Sequence, residues 1–302
     1  MKTSAAQVVV HIPHSSTNLP VEVIGQFVVD AAGLSREILA MTDWYTDELF
    51  NLEGAAALVY PYSRLACDPE RFPDDADEPM AARGMGAIYT KTSQGAALRR
   101  PVTAVERTAC IQNYYEPHHA RLSALVDTAL AAHGECLILD AHSFPSVPLP
   151  CDWSQAPNRP DICIGTDSFH TPLALTALAV QVFTSAGSKV NVDDPYAGAL
   201  VPMSVYGRDR RVSALMIEIN RSLYMNERTG DRLVGYGEFQ KKFHACLARL
   251  CADTLDHCGP LLLRAGLSEL TLVMGNAAPD FEATFDVEGV NNDQLDALDR
   301  AE

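Results

Sequence analysis

Three short apolar runs in this 302-residue chain close on groups that ionise or ligate, and that pattern constrains the fold most. VVVHI at Val8–Ile12 leads through Pro13 to His14, ECLILDAH at Glu135–His142 ends on Asp140 and His142, and ALMIEI at Ala214–Ile219 carries Glu218. Runs this short and aliphatic, bounded by Pro or polar loops, predict buried strands. Further strands are expected at Ala55–Tyr62, Asp161–Gly165 and Val190–Val192. Helical periodicity fills the intervals Ser35–Leu52, Val102–Gly134, Thr171–Gly187 and Glu238–His257. Within the first interval, Thr42 is a candidate N-cap for a helix holding Asp43 and Asp47. Strands alternating with helices predict an α/β protein with a mainly parallel sheet, and such sheets build their sites at the carboxyl ends of strands.

Composition removes several functions. A chain that is 47% hydrophobic and 21% charged can fill a core and is not a disordered one. With 23 basic against 39 acidic residues its net charge is −16, which argues against binding nucleic acid through phosphates. No run approaches the roughly eighteen apolar residues of a membrane span, and the N-terminal run is too short for a signal-peptide core. The 8 cysteines are scattered without a CxxC, so reduced, buried thiols in a cytoplasmic protein are expected rather than disulfides or a zinc ribbon. Nucleotide-binding GxGxxG and GxxxxGK patterns and the GxSxG elbow are missing. Residues 265–302 hold nine acids and a single base, Arg300, and read as an acidic extension to one domain spanning 1–264.

His14 and His142 at one sheet edge could share a metal. A mononuclear zinc site needs a third ligand, and Asp43 and Asp47, one helical turn apart, are both candidates. Asp140, two residues before His142 on the same side of its strand, could orient that imidazole. Glu218 would cost several kcal/mol if buried unpaired, so it either pairs with Arg221 or serves as a general base. Arg64, Asp68 and Arg71 form one cluster, whose planar guanidinium forks suggest an anionic substrate or equally pair with Asp68 or Glu70; Arg208, Arg210 and Arg211 form another, which reads as a solvated loop. The irregular stretch with PDDADEP at Pro73–Pro79 and glycines 84, 86 and 95 reads as a binding loop. His118 and His119 are adjacent, so they point apart on a helix; His170, His244 and His257 read as ordinary histidines.

Taken in order, HIPHSSTNLP, TDWYTDELF, YSRLACDPERF, YYEPHHARL, LILDAHSFP, RPDICIGTD, PYAGALVP and IEINRSLYM resemble the N-formylglutamate amidohydrolase family from about Val8 to about Met225. The resemblance implies a three-layer α/β/α fold with a mainly parallel mixed sheet, phosphorylase/hydrolase-like and similar to the zinc carboxypeptidases. It also implies zinc-dependent hydrolysis of a small anionic acyl-amino acid, N-formyl-L-glutamate giving formate and glutamate. By the same resemblance His14, Asp43 and His142 would hold zinc, with Asp47 the second choice for the acidic ligand. Glu218 would be the general base or acid, and Arg64, Arg71 and Arg221 would hold substrate carboxylates or the oxyanion. Asp68 belongs to the same substrate-side motif, and His119 would have a lesser role there. Rival expectations are another acyl-amino acid, a peptidoglycan-type amide, or a non-catalytic anion binder. Two departures stand out: the family tends to read HxG and DLNR, whereas this chain has His14-Ser15-Ser16 and Asp68-Pro69-Glu70-Arg71. Substrate choice is therefore expected to depend on the loop Phe72–Arg100.

Overall fold

The computed structural model describes residues 6–257; Cys258 and the 265–302 extension, with the expected domain boundary at 264, lie outside the described residues. Six strands form one sheet: β1 (Val8–Ile12), β2 (Ala56–Val59), β3 (Cys136–Phe144), β4 (Ile162–Gly165), β5 (Val190–Val192) and β6 (Val212–Asn220). Their spatial order is β2-β1-β3-β6-β4-β5. All neighbours are parallel except β4, which runs antiparallel to β6. The α/β class with a mainly parallel mixed sheet is thus as the alternation predicts, and helices cover both faces.

Side chains alternate across each strand, and the two cores follow from that period of two. Val8, Val10 and Ile12 of β1, Leu137, Leu139 and Ala141 of β3, and Leu215, Ile217 and Ile219 of β6 share one core. Against them pack α6 (Leu173–Ser185), through Leu175, Ala179, Val182 and Phe183, and α7 (Tyr236–His257), through Phe243, Leu247 and Leu250. The opposite face presents Val9, Ile138 and Ala214 to Leu122, Val126 and Ala129 of α5 (Glu116–His133). Counting on by twos puts His11, Asp140, His142 and Glu218 on this second face. Apolar burial on both sides at about 25 cal/mol per Å² holds the sheet, and the polar groups at its carboxyl end are carried by the same strands.

The helix expected over Ser35–Leu52 is two helices. Asp30 caps α2 (Ala31–Met41), its carboxylate accepting from Gly33 N at 2.7 Å. Thr42 ends that helix in an extended conformation instead of opening the next one. The chain turns because Asp43 N donates to His14 O at 2.9 Å and Tyr45 is left-handed at φ 65. Only the short α3 (Thr46–Leu49) follows, so Asp43 and Asp47 do not share a helical face. A single helical turn, α1 (Val21–Ile24), precedes these elements.

The expected Val102–Gly134 helix is an unbroken run of helical residues that changes pitch. Thr103 and Glu106 form a capping box at the start of α4 (Ala104–Cys110), and Gly134 ends α5 in the left-handed conformation, φ 81. Between α4 and α5, Ile111–Tyr115 forms a π-type turn. Pro117 supplies the reason, since it lacks an N–H and cannot close a normal helical bond to the preceding turn. Gly165, at the end of β4, has a packing reason of its own: a Cβ there would lie 2.5 Å from Gly198 O and 2.3 Å from Met216 Cε.

Candidate active site

Two loops and two strand ends meet on the α5 side of the sheet. His14 follows β1, Asp43 sits in the α2–α3 turn, and His142 lies near the end of β3; one ligand atom from each falls within 4.8 Å of the others. The facing atoms are ring Nδ1 atoms and one carboxylate oxygen. Asp43 Oδ2 is 3.2 Å from His142 Nδ1 and 3.6 Å from His14 Nδ1, and the ring centroids are 5.0 Å apart. All three residues are buried, and His14 Nδ1 has no hydrogen-bond partner. Asp47 is exposed and stands outside the cluster.

Each imidazole turns its other nitrogen to a buried carboxylate. His14 Nε2 makes a 2.8 Å hydrogen bond with Asp68 Oδ1; His142 Nε2 lies 3.2 Å from Asp140 Oδ1 without a hydrogen bond, Asp140 being bonded instead to His11 Nδ1 and Leu200 N. Carboxylate–histidine pairs of this kind fix the tautomer and aim the free nitrogen. Burial alone would raise the Asp43 carboxyl, but the two imidazoles and the Arg221 guanidinium hold it well below the usual carboxylate range. Asp68 is likewise held down, against its burial, by Arg64 and His14. His142, whose burial would lower it, is raised by Asp140.

Glu218 sits opposite His142 in the β3–β6 register. It is buried and its Oε2 has no hydrogen-bond partner. Burial raises its carboxyl to about 8; His142 and Arg221 pull the other way without overcoming it. Arg221 is not its ion-pair partner. That guanidinium donates to Asp43 Oδ1 at 2.7 Å, to Ser143 Oγ at 3.1 Å, to Ser143 O at 3.0 Å and to Ala40 O at 2.6 Å. The pairing weighed from the sequence is therefore replaced by a longer-range one.

The substrate-side residues divide. Arg64 donates to Asp68 Oδ2 at 2.9 Å and to Tyr89 OH at 2.9 Å, so it is tied into the wall. Arg71 makes no side-chain hydrogen bond, and the nearest carboxylate oxygen, Asp68 Oδ2, is 3.9 Å away. Asp68, fully buried, orients His14 and anchors Arg64 and Glu70 N rather than facing the cavity. His119 Nε2 lies 2.8 Å from Pro69 O and its ring stacks on Tyr115, which braces the Asp68–Arg71 turn from behind. His14, Asp43, Arg64, Arg71, His142, Glu218 and Arg221 all line one cavity of about 640 Å³, which His119 and Asp68 do not reach.

Sequence reasoning missed a second buried cluster. His11 Nδ1 lies 2.9 Å from Asp140 Oδ1 and 3.2 Å from Glu70 Oε1, and its Nε2 is 2.8 Å from His118 Nε2. Burial would lower His11, but Asp140 and Glu70 raise it to about 9, while burial and the charge on His11 push His118 down to about 2. The signal was available: a histidine inside an apolar strand raises the same question as Glu218 in LMIEI. His170, expected to be ordinary, bridges Val212 O and Gly207 N.

The fold is thus an α/β protein with a mixed, mostly parallel sheet, whose cavity at the strand ends gathers two imidazoles, the Asp43 carboxylate and the buried Glu218. The chain belongs to the N-formylglutamate amidohydrolase family, whose model matches residues 6–225. It is similar in structure to the N-formylglutamate amidohydrolase of Ralstonia eutropha JMP134, with TM-score 0.74, 25% identity, and 83% of this chain and 95% of that chain covered. A gene product of Agrobacterium tumefaciens, Atu2144, shares the fold at TM-score 0.56 and 20% identity, over 81% and 92% of the two chains. No curated protein matches the sequence. The family and the Ralstonia relative support an N-formylglutamate amidohydrolase activity.

Proposed function

We propose that this protein is a metal-dependent amidohydrolase that cleaves the amide of an N-formyl or N-acyl amino acid, N-formyl-L-glutamate being the family's reaction. The observation that carries this reading is the convergence of His14 Nδ1, His142 Nδ1 and Asp43 Oδ2, with the buried His14 nitrogen unpartnered. Two nitrogens and one oxygen with a fourth side open fit a zinc ion. When bound, such an ion supplies Lewis acidity toward the amide oxygen and makes water a stronger acid.

The chain's own residues do the rest. His14, Asp43 and His142 hold the ion. Asp68 locks the His14 ring by its hydrogen bond, Asp140 places a negative charge beside His142 Nε2, and Arg221 fixes Asp43; we assign it that positioning task in place of a substrate clamp. Ionised once a bound cation offsets its burial, Glu218 takes the proton of the attacking water as the new carbon–oxygen bond forms, then passes it to the nitrogen as the carbon–nitrogen bond breaks. Arg71 pairs with the substrate carboxylate, while Arg64 keeps Asp68 charged. His119 and Asp68 act through the site's walls rather than on substrate. We assign the protein to the cytoplasm: the described cysteines are free thiols, and among the described residues no helix is long and apolar enough to cross a membrane.

Chelation should abolish formate release and zinc should restore it. Glu218→Gln should keep the metal, measured by elemental analysis, and lose turnover. Full activity in the chelated protein, or in Glu218→Gln, would refute the mechanism.

A further inference from the structure

We infer that His11 is a positioning residue for substrate binding: its buried ring pins the Glu70 carboxylate against Asp140 and so keeps that carboxylate from competing with an anionic substrate for Arg71. The inference rests on the amidohydrolase reading and adds to it a residue that touches neither metal nor substrate.

Glu70 places a carboxylate in the cavity with little to hold it. It lines the same wall as Arg71, the next residue, and its buried Oε1 has no hydrogen-bond partner. Among the described residues, the basic side chains in ion-pair range of it are two histidines. His11 Nδ1 lies 3.2 Å from Oε1, and His142 Nε2 lies 3.8 Å from Oε2. His142 is the proposed metal ligand through its other nitrogen, and an imidazole that ligates is the neutral form. The charge that balances Glu70 then comes from His11.

The surroundings of His11 keep it charged. Its ring is fully buried, its Nδ1 also meets Asp140 Oδ1 at 2.9 Å, and its Nε2 lies 2.8 Å from Nε2 of His118. Carboxylate oxygens only accept, and of two facing imidazole nitrogens one must donate and the other accept. His118 is the acceptor: burial and the charge on His11 push it down to about 2, whereas Asp140 and Glu70 raise His11 to about 9 against its burial. His11 therefore donates from both nitrogens. Asp140 has a second anchor, since Leu200 N donates to its Oδ2 at 2.8 Å. The Glu70 side chain has none; only its main-chain N–H is tied, to Asp68 Oδ1 at 2.9 Å. Without the charge on His11, Asp140 would stay in place and repel a loosened Glu70 toward the cavity. Arg71 is there to receive it. Its Nε is 3.9 Å from Asp68 Oδ2, an ion pair without a hydrogen bond, so the guanidinium can still take a second carboxylate. A carboxylate tethered to the neighbouring residue would compete there at high effective concentration.

The test follows formate release from N-formyl-L-glutamate by the zinc-loaded full chain. His11→Gln, which keeps a donor for Asp140 but carries no charge, should raise KM about tenfold and change kcat by less than about twofold. In a Glu70→Gln background the same substitution should change KM by less than about threefold, because no carboxylate is left to release. A merely structural loss would persist in the double variant. Glutarate, a dicarboxylate with no scissile bond, should give the same pattern of dissociation constants by calorimetry. Nitrogen-15 NMR of the wild type at neutral pH should find both His11 ring nitrogens protonated. A KM for His11→Gln within about threefold of wild type, a rise that Glu70→Gln does not reverse, or a neutral His11 ring would each overturn the inference and leave the amidohydrolase reading standing. If the wild type releases no formate, the amidohydrolase reading falls, and the glutarate series still decides the role of His11.

Discussion

Replacing Glu218 by Gln should make the metal-free protein more stable while removing its activity. The carboxyl is buried, one oxygen has no partner, and its folded-state value is about 8 against an ordinary 4.5. Below pH 4.5 the group is protonated in both the folded and the unfolded chain and contributes nothing to pH dependence. Between 4.5 and 8 the folded chain binds the proton that the unfolded chain has released, so stability falls as pH rises. Each unit is worth about 1.4 kcal/mol, so at pH 7 the ionisable side chain costs about 3 kcal/mol that a neutral isostere does not. Above about pH 8 the cost is constant. Urea unfolding of chelated wild type and Glu218→Gln at several pH values should therefore show a gap in the variant's favour that opens from pH 5 to 8. A gap that is absent, reversed or flat with pH would refute the assignment of Glu218 as a strained, unpartnered acid. The gain would reflect what the fold gives up to keep a proton-transfer group in place.

Other outcomes follow from the same geometry. Elemental analysis should find one zinc per chain in the wild type and none in His14→Ala or His142→Ala, while Asp47→Ala keeps it; retention by either histidine variant would remove the donor set. Asp140→Asn should weaken zinc binding about 10- to 100-fold in a competition titration, because the amide orients His142 less firmly than a carboxylate. Thr103→Ala removes half of the capping box at α4 and should cost about 1 kcal/mol, a fall in melting temperature of about 2–4 °C, with kcat/KM unchanged.

The strands, their apolar character and their polar carboxyl ends were legible because a period of two and a run length are local properties. That is why His14, His142 and Glu218 could be singled out, and why the structure brings them together. The antiparallel direction of β4 was not legible, since a four-residue apolar run reads the same both ways. The break at Thr42 was hidden for a different reason: a backbone hydrogen bond to His14 O, distant in sequence, overrides the local helical pattern. Arg221 was read against its neighbour Glu218, whereas its partner is 178 positions away. His11 could have been found, and was passed over because its strand looked wholly apolar apart from it.

The β3–β6 ladder pairs His142 with Glu218 as lateral neighbours, so the separation between the proposed metal ligand and the proposed base is set by main-chain bonding. Loop movements that admit a ligand or close over it need not disturb that gauge. The cavity-lining segments that bear Phe72 and Trp153 could accordingly be exchanged with that spacing carried along unchanged.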